Sequence, residues 1–434
     1  MTLIEADLTW LDGRFQSGIK LSVDDTGRIV DVGNVPGPVT VRLVNRAILP
    51  GFVNAHSHAF QRGLRGRGES YPIEAGSFWT WREAMYALVQ EMDRPRFLEI
   101  CEQAFREMLA SGITSVGEFH YLHHTGASFD YGFDELVLQA AASSGIRIVL
   151  LNTYYETRGI NQPLSVAQQQ FFSPSLAAFW HNVESLHEKL QPERQSLGVA
   201  AHSIRAVPIE TVRALHAEAT RRELPFHMHL EEQPQEIEAC VAAYGTTPMA
   251  LLNRELESPG NLTAIHCTHS QAADVEVFLE SQRGVCLCPL TEASLGDGIP
   301  ASVVSRENTR MSLGTDSNTR ISVLEEMRWL EYGQRLRYEK RGAVTDPTGD
   351  VATRLIEIAT SGGAAALGLD AGTLRRGAHA DLISVDLDHP SLRFAEADSL
   401  GAALVFGCDR DVIDRVCVGG VWHEITSGRL HDAR

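Results

Sequence analysis

Basic residues and long apolar runs are both scarce in this chain. Its 434 residues include 38 lysines and arginines against 56 aspartates and glutamates, which gives a formal net charge of −18. A surface this acidic repels phosphate backbones and anionic membranes, so we expect no nucleic-acid partner and no membrane partner. No segment reaches the roughly 20 apolar residues of a membrane-spanning helix, and the N-terminus lacks the basic start of an export signal.

Cysteine is also sparse, and its spacing excludes a disulfide framework. The seven cysteines are an odd number and show no paired spacing of the kind found in disulfide-rich domains or zinc ribbons. Cys286 and Cys288 alternate as on a strand, which indicates packing in a core. Without an export signal or a disulfide framework, the sequence predicts a reduced, cytoplasmic location.

The long middle of the chain, residues 51–370, alternates short apolar runs with longer amphipathic stretches. The stretches include helical patterns at residues 97–109 and 209–221. Eight buried strands alternating with helices predict an α/β fold in the form of a closed parallel barrel, the (β/α)8 or TIM barrel. The eight apolar runs cover residues 47–53, 113–119, 146–151, 197–201, 225–230, 262–266, 285–289 and 311–315.

The two ends of the chain show a different sequence pattern, typical of short alternating strands separated by turns. Residues 1–50 show no helical period, and strand-like runs return after about residue 370. Neither end is long enough to build a core alone. We therefore predict that residues 1–50 and 371–434 pair into one small discontinuous β-domain, a β-sandwich, interrupted by the barrel.

Two histidines at the end of the first run are the strongest local sign of chemistry. His56 and His58 are two residues apart, so on an extended strand their imidazoles point to the same side. Such a pair can present two nitrogen ligands to a borderline-soft cation such as Zn²⁺. Two surface histidines after a strand are the plainer interpretation of this motif alone.

Further ligand-type residues stand at the ends of three other runs. His227, His229 and Glu232 come at or after the end of the fifth run, His266 ends the sixth and Asp316 follows the eighth. In a parallel barrel all the carboxyl ends of the strands lie on one face, where catalytic groups gather. The convergence of four strand ends predicts a metal site at one mouth of the barrel.

This combination resembles the amidohydrolase superfamily over nearly the whole chain, including the split β-domain. The resemblance implies that the metal ligands are His56, His58, His229 and Asp316. Many members with two metals bridge them with a modified lysine, but none of the three lysines here stands at the end of a predicted strand. We expect one ion per chain, with zinc preferred and iron or manganese able to use the same ligands, and a homodimer is the family-level expectation.

The resemblance also implies the roles of the catalytic groups. Glu232 matches the H-x-x-E pattern of the deaminases in this superfamily, and His266 matches their next catalytic histidine. A metal lowers the pKa of a bound water. Glu232 then accepts the proton of the water and passes it to the leaving nitrogen, His266 orients the attacking oxygen, and Asp316 both binds the metal and accepts a proton.

Several segments outside the ligand set resemble the formimidoylglutamate deiminases, which convert N-formimidoyl-L-glutamate to N-formyl-L-glutamate and ammonia in histidine breakdown. The segments cover residues 54–62, 77–82, 118–121, 202–205, 291–298 and 324–336. This substrate carries two carboxylates, which arginine forks suit. The resemblance implies that one carboxylate is bound by Tyr121, His202 and Arg205 and the other by Gln61 and Arg82.

Two other functions fit parts of the same pattern. A single-metal deaminase acting on a purine, pyrimidine or triazine ring would share the metal site, and a catalytically inactive metal-binding protein would need neither Glu232 nor His266. Asn318 is a departure, since the related sequences have a histidine there, and it leaves open a related imine or amidine substrate. Arg82 has a plainer interpretation as an arginine on a helix surface.

Overall fold

The chain begins with strands that belong to a mixed sheet. The structure is a computed structural model that describes residues 1–67, 78–126, 129–256, 262–300, 310–426 and 429–432. β1 pairs antiparallel with β2 and β3 and parallel with β5, while β4 continues from β3. These strands are β1 (Thr2–Leu11), β2 (Arg14–Gln16), β3 (Lys20–Val23), β4 (Ile29–Gly33) and β5 (Val41–Pro50).

Eight parallel strands follow and form the barrel. Each strand pairs with the next one along the chain. Every position of β7 and β8 is buried, as expected for strands covered on both faces. The predicted parallel barrel is confirmed. Its strands are β6 (Phe52–Ser57), β7 (Ile113–His120), β8 (Arg147–Tyr154), β9 (Gln195–Ser203), β10 (Phe226–Leu230), β11 (Leu262–His266), β12 (Gly284–Leu287) and β13 (Met311–Leu313).

The first predicted barrel strand needs a correction. The apolar run at residues 47–53 spans the end of β5 and the start of β6, which belong to two different sheets. Gly51 separates the two strands, and a Cβ atom at this position would collide with the side chain of Thr114. An unbroken apolar run cannot show this change of sheet, because both strands are buried.

The barrel closes between its first and last strands next to the predicted metal ligands. Ser57 and Asp316 form a parallel β-bridge. The backbone N–H of His58 donates to the carbonyl of Asp316 at 2.9 Å, and the N–H of Asp316 donates to the carbonyl of His56 at 3.0 Å. Hydrogen bonds of the backbone therefore fix two strand ends that carry candidate ligands.

Helices cover the outside of the barrel, and both predicted helical patterns lie within them. None of the helices in the described part of the chain is long and apolar enough to cross a membrane. Residues 358–362 form a π-helix. The α-helices are α1 (Phe78–Gln90), α2 (Arg94–Leu109), α3 (Asp134–Ser144), α4 (Leu176–His187), α5 (Ile209–Arg221), α6 (Pro234–Tyr244), α7 (Pro248–Glu255), α8 (Ala272–Glu280), α9 (Pro289–Leu295), α10 (Val323–Tyr338), α11 (Val351–Glu357), α12 (Gly363–Ala366) and α13 (Leu400–Gly407).

The C-terminal strands return to the first sheet, so both ends of the chain share it as predicted. The strand that joins them, β14, pairs antiparallel with β5. Beside this junction the buried Arg147 of the barrel donates two hydrogen bonds to Asp381, at 2.7 and 3.1 Å. The remaining strands are β14 (Leu382–Asp386), β15 (Ile413–Val418), β16 (Val421–Thr426) and β17 (Arg429–Asp432).

Candidate active site

Four buried side chains meet at the carboxyl end of the barrel. The Nε2 atoms of His56 and His58 each lie 3.2 Å from Oδ1 of Asp316. The Nε2 atom of His229 lies 3.2 Å from that of His56 and 3.4 Å from that of His58. Four ligands that surround zinc at about 2.0–2.1 Å lie about 3.3 Å from one another. These four separations are of the size expected between ligands of one ion, and the four ligand atoms all lie within 4.8 Å of one another.

The tautomers of these histidines also suit a metal. Nδ1 of His58 donates to the carbonyl of Phe119 at 2.7 Å, and Nδ1 of His229 donates to the carbonyl of His202 at 2.9 Å. With the proton on Nδ1, the lone pair of each Nε2 faces the centre of the cluster. Lone pairs that face each other repel unless a cation lies between them, and carbonyl partners of this kind orient metal-binding histidines. The residues fit a divalent cation.

Burial keeps His56 and His229 neutral, and contacts with histidines keep Asp316 ionised. Burial lowers the pKa of His56 to about 3 and holds the pKa of His229 well below its usual range. Burial would raise the pKa of Asp316, but its contacts with His56 and His58 hold that pKa well below the usual range. Neutral imidazoles and a carboxylate are the protonation states that metal binding requires.

Glu232 and His266 lie beside the metal set. Nε2 of His266 lies 3.8 Å from a carboxylate oxygen of Glu232, and Nδ1 lies 3.3 Å from Glu292. Burial would lower the pKa of His266, but the negative charges of Glu232 and Glu292 raise it to about 10. The backbone of both His266 and Asp316 is left-handed, with φ of 74° and 45°. Such strained conformations cluster at functional sites, where the surrounding structure holds them.

The five predicted substrate contacts line one pocket above the metal set, namely Gln61, Arg82, Tyr121, His202 and Arg205. The side-chain amide of Gln61 donates to the hydroxyl of Tyr121 at 2.7 Å. Arg82 lies on α1 and faces the pocket rather than only the solvent. Ser77 and the rest of residues 68–77, next to Arg82 in the chain, lie outside the described residues.

Arg205 connects the pocket wall to Glu232. Its Nη2 atom donates to Glu232 at 3.3 Å, and its Nε atom lies 3.6 Å from Glu236. Glu236 and Glu292 were not predicted from the sequence as site residues. Glu236 stands four residues after Glu232, in the first turn of α6, and this spacing was the only signal for it. Arg158, on the loop after β8, also lines the pocket and was not predicted.

A chain of buried hydrogen bonds lies behind His56 and His58, at the end of β6. The side chain of Asn318 accepts from the hydroxyl of Thr315 at 2.6 Å and donates to Ser57 at 3.0 Å. Ser57 in turn donates to Glu118 at 2.7 Å, and Asn54 donates to Thr315 at 2.6 Å. Asn318 therefore supports Ser57, between His56 and His58, rather than lining the pocket.

A second histidine cluster has a different character. Its acid, Asp134, is buried and accepts hydrogen bonds on both oxygens. His123 donates from Nε2 to the carbonyl of Thr153 at 2.7 Å and faces Asp134 with Nδ1 at 2.9 Å, so both ring nitrogens have acceptors and the ring is protonated. The carboxylate has no free lone pair directed at a metal. Its four donors are His120, His123, Asn152 and Asn182.

The fold and the site together define a metal-dependent hydrolase. A cation at the carboxyl end of a TIM barrel would activate a water molecule, and a glutamate and a histidine lie beside this cation site. The chain belongs to the amidohydrolase family, whose sequence profile matches residues 47–423.

Two curated relatives differ in what they act on. A formimidoylglutamate deiminase from Pseudomonas aeruginosa is 36% identical over 430 residues, which cover 97% of this chain and 94% of the relative. A 5-methylthioadenosine/S-adenosylhomocysteine deaminase from Halobacterium salinarum is 28% identical over 407 residues, which cover 92% of this chain and 86% of the relative. Both alignments extend over nearly the whole barrel and sheet.

Solved structures of other proteins have the same fold as this chain. An amidohydrolase from Brucella melitensis is 29% identical with a TM-score of 0.88, covering 99% of this chain and 96% of its own. An adenosine deaminase from Xanthomonas campestris with bound zinc is 23% identical with a TM-score of 0.82, covering 100% of this chain and 94% of its own. The second likeness, at this identity, shows the shared fold alone.

Proposed function

We propose that the protein hydrolyses N-formimidoyl-L-glutamate to N-formyl-L-glutamate and ammonia, as in histidine breakdown, with one zinc ion per chain. The observation that carries the proposal is the placement of Arg82 and Arg205 in the pocket above the metal set. A protein of net charge −18 repels a dicarboxylate at long range, so local arginines must attract it. The 36% identical relative with the same activity in its name supports the proposal.

The residues of the pocket have separate roles in the proposed reaction. A divalent cation held by the four ligands would act as a Lewis acid that lowers the pKa of a water molecule. Glu232 accepts the proton of the water and delivers it to the leaving nitrogen, while His266 orients the attacking oxygen. Asp316 serves as ligand and as a second proton acceptor. Arg82 and Arg205 hold the carboxylates, so the formimidoyl carbon stays beside Glu232.

A ring deaminase is the second candidate, because the 28% identical relative carries that activity in its name. A purine pocket needs hydrogen bonds to ring edges and a stacking surface, whereas charged arginines suit carboxylates. An inactive metal-binding protein is the third candidate. The presence of Glu232 and His266 argues against it, because a purely structural ion needs neither residue. Measuring ammonia release from formimidoylglutamate, purines, triazines and simple amidines in parallel distinguishes the three candidate functions.

Replacing Arg205 tests the recognition of the substrate. We expect Arg205→Ala to lower kcat/KM for formimidoylglutamate by roughly 100-fold, because a buried charge-assisted pair is lost. Arg213→Ala is the matched control, since Arg213 lies on the outer face of α5 and pairs with Glu255 in solvent. An unchanged rate in Arg205→Ala, or faster turnover of a purine by the wild type, would contradict the proposal.

Replacing Glu232 tests the chemistry. Glu232→Gln keeps the size of the side chain but removes the proton acceptor, so we expect ammonia release to fall by about 10²–10⁴-fold while zinc content stays at one per chain. Zinc content is measured by elemental analysis of the same preparations used for kinetics. A variant that retains its rate would exclude Glu232 from proton transfer, and wild-type protein inert on every substrate would favour the inactive metal-binding protein.

A further inference from the structure

Glu236 is a buried carboxyl group that the proposed reaction does not use. Its residue is 1% exposed, and among the described residues neither side-chain oxygen has a hydrogen-bond partner. The nearest positive group is Nε of Arg205, at 3.6 Å, which exceeds hydrogen-bond distance. Burying a carboxylate with so few partners is costly, so its protonation state is open to change.

The side chains that pair directly with Arg205 carry more negative charge than the guanidinium carries positive charge. Its guanidinium contacts Glu232 on one side and Glu236 on the other. Two carboxyl groups therefore share one positive charge before any ligand arrives. A carboxylate that binds Arg205 would add a third negative charge in a buried pocket, where repulsion between like charges is strong.

We propose that Glu236 takes up one proton when a carboxylate ligand binds to Arg205, which removes the repulsion and lets the pocket accept an anion. The inference rests on the proposed function, since that function assigns a carboxylate of the substrate to Arg205. Protonated Glu236 also gains an O–H group that can donate a hydrogen bond. Glu236 acts on the reaction through Arg205 and is a positioning residue.

The surroundings of Glu236 favour this change near neutral pH. Burial raises the pKa of Glu236 to about 7; the charge of Arg205 opposes the rise, and the charges of Glu232 and Glu231 add to it. Cys240 on the same helix also faces it, and Arg82 and Arg158 line the adjoining cavity. A bound anion raises the pKa of Glu236 further, so Glu236 takes up a proton on binding above pH 7. At pH 6 Glu236 is already protonated before the anion binds, so no proton is taken up.

Calorimetry with glutarate, an inert dicarboxylate, tests the proposal on the zinc-loaded protein. Binding enthalpies measured in buffers of different ionisation enthalpy give the number of protons taken up. At pH 8 we expect the wild type to take up about one proton per glutarate, and at pH 6 close to none. The Kd of the wild type should be about tenfold weaker at pH 8 than at pH 6, because only about a tenth of Glu236 is then protonated.

The variant Glu236→Gln imitates the protonated side chain and keeps its volume. We expect it to lose the uptake at pH 8 and to bind glutarate with about the same Kd at both pH values. Glu238→Gln is the matched control, because Glu238 is exposed on the same helix and should behave like the wild type. Zinc content and the melting temperature are compared for all three proteins.

Each result separates this inference from the proposed function. Proton uptake that persists in Glu236→Gln would overturn the proton inference. A wild type that neither takes up a proton nor binds glutarate at pH 8 would also overturn it. The wild-type result holds even if the variant does not fold. Uptake without turnover of formimidoylglutamate would defeat the proposed function alone. Turnover without uptake would defeat the proton inference alone.

Discussion

At the scale of single residues, the metal ligands depend on neighbours that never touch the ion. Asn318 connects Thr315, beside the ligand Asp316, to Ser57, which stands between His56 and His58. Its backbone is left-handed, with φ of 55°, a conformation that asparagine tolerates better than most residues. The departure at this position therefore bears on the rigidity of the ligands.

We expect Asn318→Ala to weaken zinc binding by about 10–100-fold, the usual effect of removing a partner that orients ligands. The measurement is a competition with a chromophoric chelator. Asn161→Ala is the control, because Asn161 has a similar φ of 57° but lies exposed on a loop. Equal zinc affinity in the two variants would mean that the hydrogen bonds of Asn318 do not orient the ligands.

The same residue shows where sequence reasoning stops. The histidines of β6 and the acids at later strand ends could be selected from the sequence, because a parallel barrel brings strand ends together whatever the loops do. The partners of Asn318 could not, since Ser57 is 261 positions away and no periodicity links them. Glu236 was missed for a related reason, because an acidic residue at the start of a helix usually faces solvent.

At the scale of elements, close approaches of the backbone decide details that patterns do not show. The apolar run across Gly51 was predicted as one strand but contains parts of two strands that belong to different sheets. The well-separated runs at β7 to β11 each correspond to a single strand. The π-helix at residues 358–362 was not predicted either. Its last residue, Gly362, lies so near the carbonyl of Met311 on β13 that a Cβ atom would overlap it.

Gly362→Ala should lower the free energy of unfolding by about 1–3 kcal/mol, because β13 or the π-helix must move to admit the methyl group. Denaturant unfolding with zinc present measures this difference. Gly407→Ala provides the comparison, since nothing lies within 4 Å of a Cβ atom at Gly407. If both variants are as stable as the wild type, the close packing of the π-helix on β13 is not required.

At the scale of the whole molecule, the barrel and the sheet are fastened by a buried ion pair. Arg147 starts β8, and Asp381 precedes β14 and also accepts from the backbone N–H of Gly419 at 2.7 Å. Burial would raise the pKa of Asp381, but Arg147 holds it below its usual range. A group of this kind stabilises the fold above the unfolded pKa of about 4, and the stabilisation is lost as the pH falls through its lower folded pKa.

Asp381→Asn removes the negative partner and leaves Arg147 buried without its counter-charge, so we expect a loss of about 3–5 kcal/mol at pH 7. The loss should shrink as the pH falls below about 4, because Asp381 takes up a proton in the unfolded wild type while the folded carboxylate stays ionised down to its lower pKa. Chemical unfolding at pH 7 and below pH 4 tests this, with Asp388→Asn as control, because Asp388 is exposed in the turn after β14. A loss that does not change with pH would show that the ion pair is not its cause.

The closure of the barrel at Ser57 and Asp316 has a consequence for synthesis. A nascent chain that has emerged only to β10 already carries three of the four metal ligands, yet the strand that completes the ring follows much later. Metal capture in the native geometry therefore requires synthesis to have passed residue 316. A chain truncated before residue 316 would hold three imidazoles on an open sheet with nothing to distinguish zinc from any other cation that binds histidine.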